Sequence, residues 1–466
     1  MYLFDFDGTL ADSMPTWAGK MIRILEEEGI TPPENLIKII TPLGDRGTAE
    51  YYVNELGVKS SIESLIERMD KYAMEAYHNR VELKAGVLDF LKVSRAQGHK
   101  LAVLTASPHK FIDKCLERVG AFDLFEHVWS IEDFGDLKKN MPEIYVQAAE
   151  KMGATIGDVV FFDDNITALQ TAKIAGMKTV GVYDATADDL QEIIKAETHG
   201  YVHSFKDVLP KIRTNLHTHT ARCRHASDTE EEYVLRAIDA GLEVFGFSDH
   251  FPLAAENGKE SSYRVPVGEV AEYVGTVNEL KKKYAGQIEI HVGFEMEYYP
   301  SRFEEMLENA KKYGAEYLIC GPHFIESEYI GGVYVNWKTS EDQILLAYTD
   351  RVLSAIRSGV FTYIAHPDLI NYHGDEALFQ ECARKIGICA KENNVPLEIN
   401  FLGIRDNRSY PNERFWQAFS GMDVPVVFGF DAHDAVNAAD LASSVRANEM
   451  VKKFGLKLVE PVIRKI

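Results

Sequence analysis

Only five cysteines, Cys115, Cys223, Cys320, Cys382 and Cys389, occur among 466 residues. An odd and scattered set does not make the disulfide framework of a small secreted domain, so stability has to come from packed cores. Positive charge is also short. There are 50 Lys and Arg against 72 Asp and Glu, a net charge of −22 at pH 7. Nonspecific binding to nucleic acid or an anionic membrane needs a basic patch that neutralises phosphates, and acidity shared evenly by both halves of the chain argues against one. No apolar run approaches the roughly 18 residues that suggest a spanning helix. Met1 leads into "YLFDFDGTL" with no signal-peptide pattern. Internal repeats, low-complexity tracts and heptad runs are lacking too. With 46% hydrophobic and 26% charged residues, values ordinary for globular proteins, the chain reads as a cytoplasmic enzyme of several domains, acting on small ligands.

The chain reads as α/β throughout. Up to about residue 209, short β-rich runs ("YLFDF", "KLAVLTAS", "HVWSI", "DVVFFDD", "KTVGVYD") alternate with helical patterns, as in a parallel sheet. Residues 14 to 83 break that rhythm with wholly helical segments and read as an insert after the first strand. The pattern restarts beyond Pro210. From residue 212 to 466, "GLEVFGFSDH", "IEIHVGFEMEY", "AEYLICGPHF", "FTYIAHPD", "PLEINF" and "PVVFGFDAH" read as strands, nearly all ending in His, Asp or Glu. In a β/α barrel, strand C-termini converge on one face, where active sites assemble.

"DFDGT" puts Asp5 and Asp7 two residues apart at a strand end, ahead of a Gly that permits a tight turn. Neighbouring carboxylates repel unless a cation lies between them or their protonation differs. With Thr105 in "VLTAS", Lys139 in "KKNMPEIY", and Asp163 and Asp164 in "VVFFDDN", the segment resembles the haloacid dehalogenase (HAD) superfamily. That resemblance implies a HAD-like Rossmannoid parallel sheet with a helical cap. It also implies that Asp5 attacks phosphorus to give an aspartyl-phosphate, and that Asp7 serves as acid and then base. Thr105 and Lys139 would hold the phosphoryl oxygens. A magnesium ion would lie between Asp5, the Asp7 carbonyl and Asp164, with Asp163 nearby. Asn140 stands where the family has Pro, and either Lys138 or Lys139 could point inward, with spacing favouring Lys139.

The second half opens on "NLHTHTARCRH". His217 and His219 alternate along an extended segment, so both imidazoles face one side, a chelating geometry. His225, His250, Glu295, His323, His366, Asp431 and His433 follow. This set resembles the polymerase and histidinol phosphatase (PHP) superfamily over nearly all of residues 212 to 466. The resemblance implies a distorted (β/α)7 barrel with three metal ions. His217, His219, Glu295 and Asp431 would hold one, and His225, His250 and His433 a second. Glu295 would bridge to a third, on His323 and His366. Imidazole and carboxylate ligands suit zinc, iron or manganese alike. Asp249, Glu297 and Asp368 flank these ligands and are expected to orient imidazoles, and Cys223 to be a packed thiol.

"CRHA", "GFSDHFPL", "GFEMEYYP" and "EINFLGIRDNRSYPN" look most like monofunctional histidinol-phosphatases, which places a phosphate-gripping arginine at Arg405 or Arg408. The expectation is therefore a two-domain phosphohydrolase. Its barrel would hydrolyse L-histidinol phosphate, a reaction of histidine biosynthesis. Its first domain would act on a sugar phosphate or phosphoglycolate-like monoester; with Cys115 alone, it lacks the cysteine-rich zinc loop of some HAD-type histidinol-phosphatases. A barrel acting on nucleotides or other small phosphates, or one half serving as a regulatory metabolite-binding module, are the alternatives. Oligomeric state is left open.

Overall fold

The computed structural model describes residues 1–40, 43–253, 258 and 260–466. The chain divides into two compact units, Met1–Leu209 and Pro210–Ile466.

In the first unit six strands, β1 (Tyr2–Phe4), β2 (Leu101–Thr105), β3 (His127–Ser130), β4 (Val160–Asp163), β5 (Lys178–Val182) and β6 (Gly200–Val202), form one parallel sheet in the order β3-β2-β1-β4-β5-β6. Every residue of β2 is buried, as expected of a strand covered by helices on both faces. β6 lies outside the strands expected from sequence. It is short and half-buried at the sheet edge, so it lacks the continuous apolar run that marks the others. The insert forms helices Met14–Glu27, Leu36–Ile40, Gly44–Asn54 and Ile62–Asn79, packed around their own core of Met21, Ile24, Leu25, Tyr52, Leu65 and Met69.

Strand β1 lies between β2 and β4, so the chain winds in opposite directions on its two sides. At such a switch point the loops leaving adjacent strands diverge and open a crevice at the strand C-termini. Asp5, Thr105 and Asp163 sit at the C-terminal ends of those three strands.

In the second unit, β7 (Thr214–Asn215), β8 (Val244–Phe247), β9 (Glu289–Met296) and β10 (Tyr317–Cys320) pair in parallel, as do β11 (Leu397–Asn400), β12 (Pro425–Gly429) and β13 (Lys457–Leu458). Single parallel bridges join the two sheets. Ile364 pairs with Cys320 on one side and Leu397 on the other, and Thr218 pairs with Ala432. Tyr363 O accepts from Cys320 N at 3.1 Å, and Ala432 O from His219 N at 2.9 Å. β7 to β10, the Ile364 segment, β11 and β12 are the seven staves of a ring that closes into a parallel (β/α)7 barrel, with β13 paired to β12 alone. The Ile364 stave is reduced to one bridge residue, and the chain turns at His366, where φ is +29°. Leu216, Tyr317, Ile319, Tyr363, Ala365 and Val427 pack together in a cluster of their own.

Candidate active sites

In the first unit, Lys139 Nζ lies 2.7 Å from Asp5 Oδ1 and 2.5 Å from Asp163 Oδ2. Lys139, rather than Lys138, is thus the lysine that enters the carboxylate cluster. Asp164 Oδ1 accepts from Thr9 Oγ1 at 3.0 Å. Gly8, at φ +76°, lets the turn after Asp7 run so close to Asp164 that a Cβ would lie 2.6 Å from its Oδ2. Asp7 Oδ2 accepts from Ser107 Oγ at 2.6 Å, and Oδ1 from Ser13 Oγ at 2.6 Å and from the Tyr77 hydroxyl. Thr105 Oγ1 accepts from Ser107 N at 3.1 Å, which joins Thr105 to the same network.

Burial, with Asp163, Asp164 and Asp7 nearby, pushes Asp5 well above the usual carboxylate range despite Lys139. Burial and Asp163 push Asp164 up to about 7. Lys139 pairs with two of these buried carboxylates, and Lys84, the other ammonium acting on Asp164, is itself paired with Asp184 at 2.9 Å, so the cluster is short of positive charge, and oxygen donors of this kind suit a hard divalent cation. The residues fit magnesium on these grounds. Sequence reasoning missed Ser13, Tyr77 and Ser107: a hydroxyl in a helix or loop carries no periodic signal, and Tyr77 is 70 residues from its partner.

In the barrel, the structure brings all nine expected ligands to the C-terminal mouth. His217 Nε2 lies 3.2 Å from His219 Nε2, 3.6 Å from Asp431 Oδ1 and 3.7 Å from Glu295 Oε1. His219 Nε2 lies 3.3 Å from Asp431 Oδ1 and 3.5 Å from Glu295 Oε2. Four donors placed tetrahedrally about one ion at bonds of about 2.1 Å are about 3.4 Å apart, so this spacing fits a metal. Glu295 also reaches the other imidazoles: Oε1 lies 3.0 Å from His366 Nε2 and 3.3 Å from His323 Nε2, and Oε2 lies 2.9 Å from His250 Nδ1. Donor atoms of His219, His225 and His250, and of His219, Asp431 and His433, also cluster within 4.8 Å. Buried and off the hydrogen-bonding direction, His250 Nδ1, Glu295 Oε2 and His366 Nδ1 have no hydrogen-bond partner. Orphaned donor atoms beside well-spaced ones are what bound cations would satisfy. Two of the ligands, His366 and Asp431, have left-handed backbones, φ +29° and +47°, of the kind stored at functional sites.

A metal-binding imidazole is normally fixed through its other nitrogen. Nδ1 of His217 faces Glu398 Oε1 at 2.7 Å, of His225 the Cys223 carbonyl at 2.8 Å, of His323 Glu297 Oε1 at 3.2 Å, and of His433 the Asp431 carbonyl at 3.0 Å. Glu297 is itself clamped by both terminal nitrogens of buried Arg264, each at 2.8 Å. Asp249 stands 4.0 Å from His219 Nδ1. Its closer contact is Cys223, whose thiol donates to it at 2.6 Å and lies 3.6 Å from His219 Nδ1. Asp368 departs from expectation. It accepts from Trp416 Nε1 at 2.7 Å and Asn412 N at 2.5 Å, so it anchors a neighbouring segment instead of an imidazole.

Charge is unevenly divided among the rings. Burial opposes charge on His217, but Glu398, Asp431 and Glu295 outweigh it and hold this ring well above the usual histidine range. Burial, reinforced by His250 and His433, pushes His219 well below it. Glu398 and Asn400 were missed in the sequence although they carry the site's inner wall: Asn400 Nδ2 donates to Glu398 Oε2 at 2.9 Å and Asp431 Oδ2 at 3.0 Å. In sequence, two polar residues at alternate positions of "PLEINF" read as a solvent-facing alternation; in the structure the strand is fully buried.

Seven of the nine ligands, all but His217 and His219, border a cavity of about 630 Å³, which Arg405 and Arg408 also line. Arg405 Nη1 pairs with Asp440 Oδ2 at 2.8 Å, and Nη2 reaches the Asp431 carbonyl at 3.5 Å. Arg408 pairs with Asp406 at 2.9 Å and Tyr410 at 3.3 Å.

The chain is a phosphohydrolase of two domains. It carries a haloacid dehalogenase-like hydrolase domain, matched over residues 2–182, followed by a PHP domain, matched over residues 215–401. The first half is similar to a phosphorylated carbohydrates phosphatase of Thermotoga maritima, 28% identical over 181 residues that make up 38% of this chain and 82% of that protein. The second half is similar to a "Probable histidinol-phosphatase" of Deinococcus radiodurans, 26% identical across 47% of this chain and 85% of its relative. It is also similar to the histidinol-phosphatase of Bacillus subtilis, 24% identical across 47% of this chain and 92% of that one. No helix among the described residues is long and apolar enough to cross a membrane.

Proposed function

We propose that the barrel, residues 212 to 466, hydrolyses L-histidinol phosphate to L-histidinol and phosphate, with three ions of zinc, iron or manganese held by the nine ligands. The observation that carries this reading is the donor spacing around Glu295, whose two oxygens approach five imidazoles between 2.9 and 3.7 Å. Bound cations would make water a competent nucleophile at neutral pH and offset charge developing on the phosphoryl oxygens. Glu398, Glu297 and the Cys223 and Asp431 carbonyls fix which imidazole nitrogens are free to serve as ligands. Arg405, oriented by Asp440 beside Asp431, keeps donors for a phosphate dianion, and Arg408 lies farther along the same wall.

The unit of residues 1 to 209 hydrolyses a small sugar phosphate or phosphoglycolate-like ester, with magnesium at Asp5, Asp7 and Asp164 and Asp163 nearby. The Asp5 carboxylate attacks phosphorus, the ester P–O bond breaks, and Asp7 protonates the departing oxygen. Asp7 then takes a proton from the water that releases phosphate. Lys139 and Thr105 hold phosphoryl oxygens, while Ser13, Ser107 and Tyr77 fix the Asp7 carboxyl.

The test is phosphate release from L-histidinol phosphate by the full chain and by its Asp5→Asn and Asp431→Asn variants. Loss in Asp431→Asn alone is expected. Loss in Asp5→Asn alone, or efficient nucleotide cleavage with histidinol phosphate ignored, overturns the assignment.

A further inference from the structure

Beside the metal-ligand cluster, the barrel cavity has a wall that phosphate chemistry does not require. Tyr263 stands edge-on to the His250 ring, 5.4 Å between centroids at 89°. It stacks on Phe324 at 6.2 Å and 20°. Phe324 meets Tyr334 at 5.3 Å, and Tyr334 meets Trp337 at 6.0 Å. All four rings line the cavity, making a continuous aromatic run from the cluster out to solvent. Its last member is 68% exposed. An indole left in water at a cavity rim forgoes the burial that large aromatic residues usually gain.

The run is held rather than loose. Phe324 and Tyr334 form an antiparallel bridge, with Ile325 N donating to the Val333 carbonyl at 3.2 Å and Val335 N to the His323 carbonyl at 3.0 Å. Ser409 Oγ donates to Asn336 Oδ1 at 2.6 Å, tying the strip to the segment that carries Arg408.

We propose that the Tyr263–Phe324–Tyr334–Trp337 run is the subsite for the alcohol part of the ester, selecting substrates whose alcohol carries a flat ring. Imidazole is such a ring. The inference rests on the barrel being the phosphomonoesterase proposed above, and it adds what sets substrate choice there. Stacking contacts of this kind correspond to about twofold to tenfold in affinity.

The test uses the full chain with Asp5→Asn, so that only the barrel turns over, and three esters: L-histidinol phosphate, phenyl phosphate and propyl phosphate. Trp337→Ala and Tyr334→Ala are expected to lower kcat/KM for the two ring-bearing esters about tenfold, through KM, and to leave propyl phosphate within twofold and metal content unchanged. Comparing each variant with its parent on the same ester cancels leaving-group differences. Equal loss on all three esters, or no loss on the ring-bearing pair, overturns the proposal. If the parent cleaves phenyl and propyl phosphate but not histidinol phosphate, the histidinol assignment falls, while the phenyl-to-propyl contrast still decides the aromatic subsite. If no ester is turned over, binding of L-histidinol by calorimetry decides it: weaker binding in Trp337→Ala supports the subsite and equal binding refutes it.

Discussion

Glu398 Oε1 lies 2.7 Å from His217 Nδ1, and both side chains are wholly buried. The other oxygen of Glu398 accepts from His366 N and Asn400 Nδ2, each at 2.9 Å. One carboxylate therefore satisfies three donors, and two of them belong to proposed metal ligands. Gly429 makes room for it, since a Cβ there would overlap Glu398 Oε1.

Replacing Glu398 by Gln keeps the shape but turns one oxygen into a donor that must face another donor. Each such buried mismatch costs about 1–3 kcal/mol, and loss of the partner of a metal-binding imidazole weakens metal affinity about ten- to a hundredfold. Both Glu398→Gln and Glu398→Ala should fall in melting temperature and in bound metal measured by elemental analysis. A Gln variant with full metal content would show that His217 does not depend on this carboxylate.

The histidine cluster is legible in the sequence because imidazole is scarce and costly to bury, so His217, His219, His250, His323, His366 and His433 stand out wherever they end a strand. Asp5, Asp7 and Asp164 are legible for the same reason, as acids at the ends of apolar runs. Glu398 is harder: it lies within "PLEINF" rather than after it, where an acid reads as a solvent-facing alternation. The stave at Ile364 is legible as a strand, but its pairing through one residue depends on the neighbours that close the ring. Tyr77 and Arg264 are invisible as site residues. Each meets its partner, Asp7 or Glu297, only through tertiary packing.

Gly8→Ala tests the turn after Asp7. At φ +76° a side chain is strained by about 1–2 kcal/mol, and here the Cβ would also press on Asp164 Oδ2 from 2.6 Å. The variant should lose magnesium-dependent turnover at the first site and melt several degrees lower, while the barrel's activity is retained. Wild-type turnover at the first site would show that Asp164 can move without consequence.

In the insert, Glu27 accepts from Tyr72 Oη at 2.7 and 2.6 Å on its two oxygens, and from Arg68 Nη2 at 2.6 Å. Those hydrogen bonds, Tyr72 first, hold its carboxyl down at about 2, against 4.5 ordinarily. A depressed carboxylate stabilises the fold fully above its unfolded value and stops doing so as pH falls from about 4.5 toward 2. The group is one-third exposed, so solvent screening limits its worth to at most about 1 kcal/mol. Glu27→Gln should therefore lower the urea midpoint at pH 7, and the gap from wild type should narrow by pH 3. A gap independent of pH would mean that shape, not charge, matters at this position.

Metal removal gives the sharpest contrast between the two sites. In the barrel, Glu295 and Asp431 are buried among seven imidazoles, with His250 Nδ1, His366 Nδ1 and Glu295 Oε2 lacking hydrogen-bond partners. A ligand that binds only the folded state stabilises it by about 4 kcal/mol at a thousandfold excess over Kd. Protein purified without chelator should carry close to three transition-metal ions per chain. Stripping them with a strong chelator should abolish barrel turnover and lower the melting temperature. Asp431→Asn, already short of metal, should show a much smaller shift under the same chelator. Magnesium alone should then restore turnover at the Asp5 site and not at the barrel, because imidazole-rich sites favour the softer ions. A single ion per chain in never-chelated protein, or barrel activity restored by magnesium alone, would rule out the three-ion arrangement.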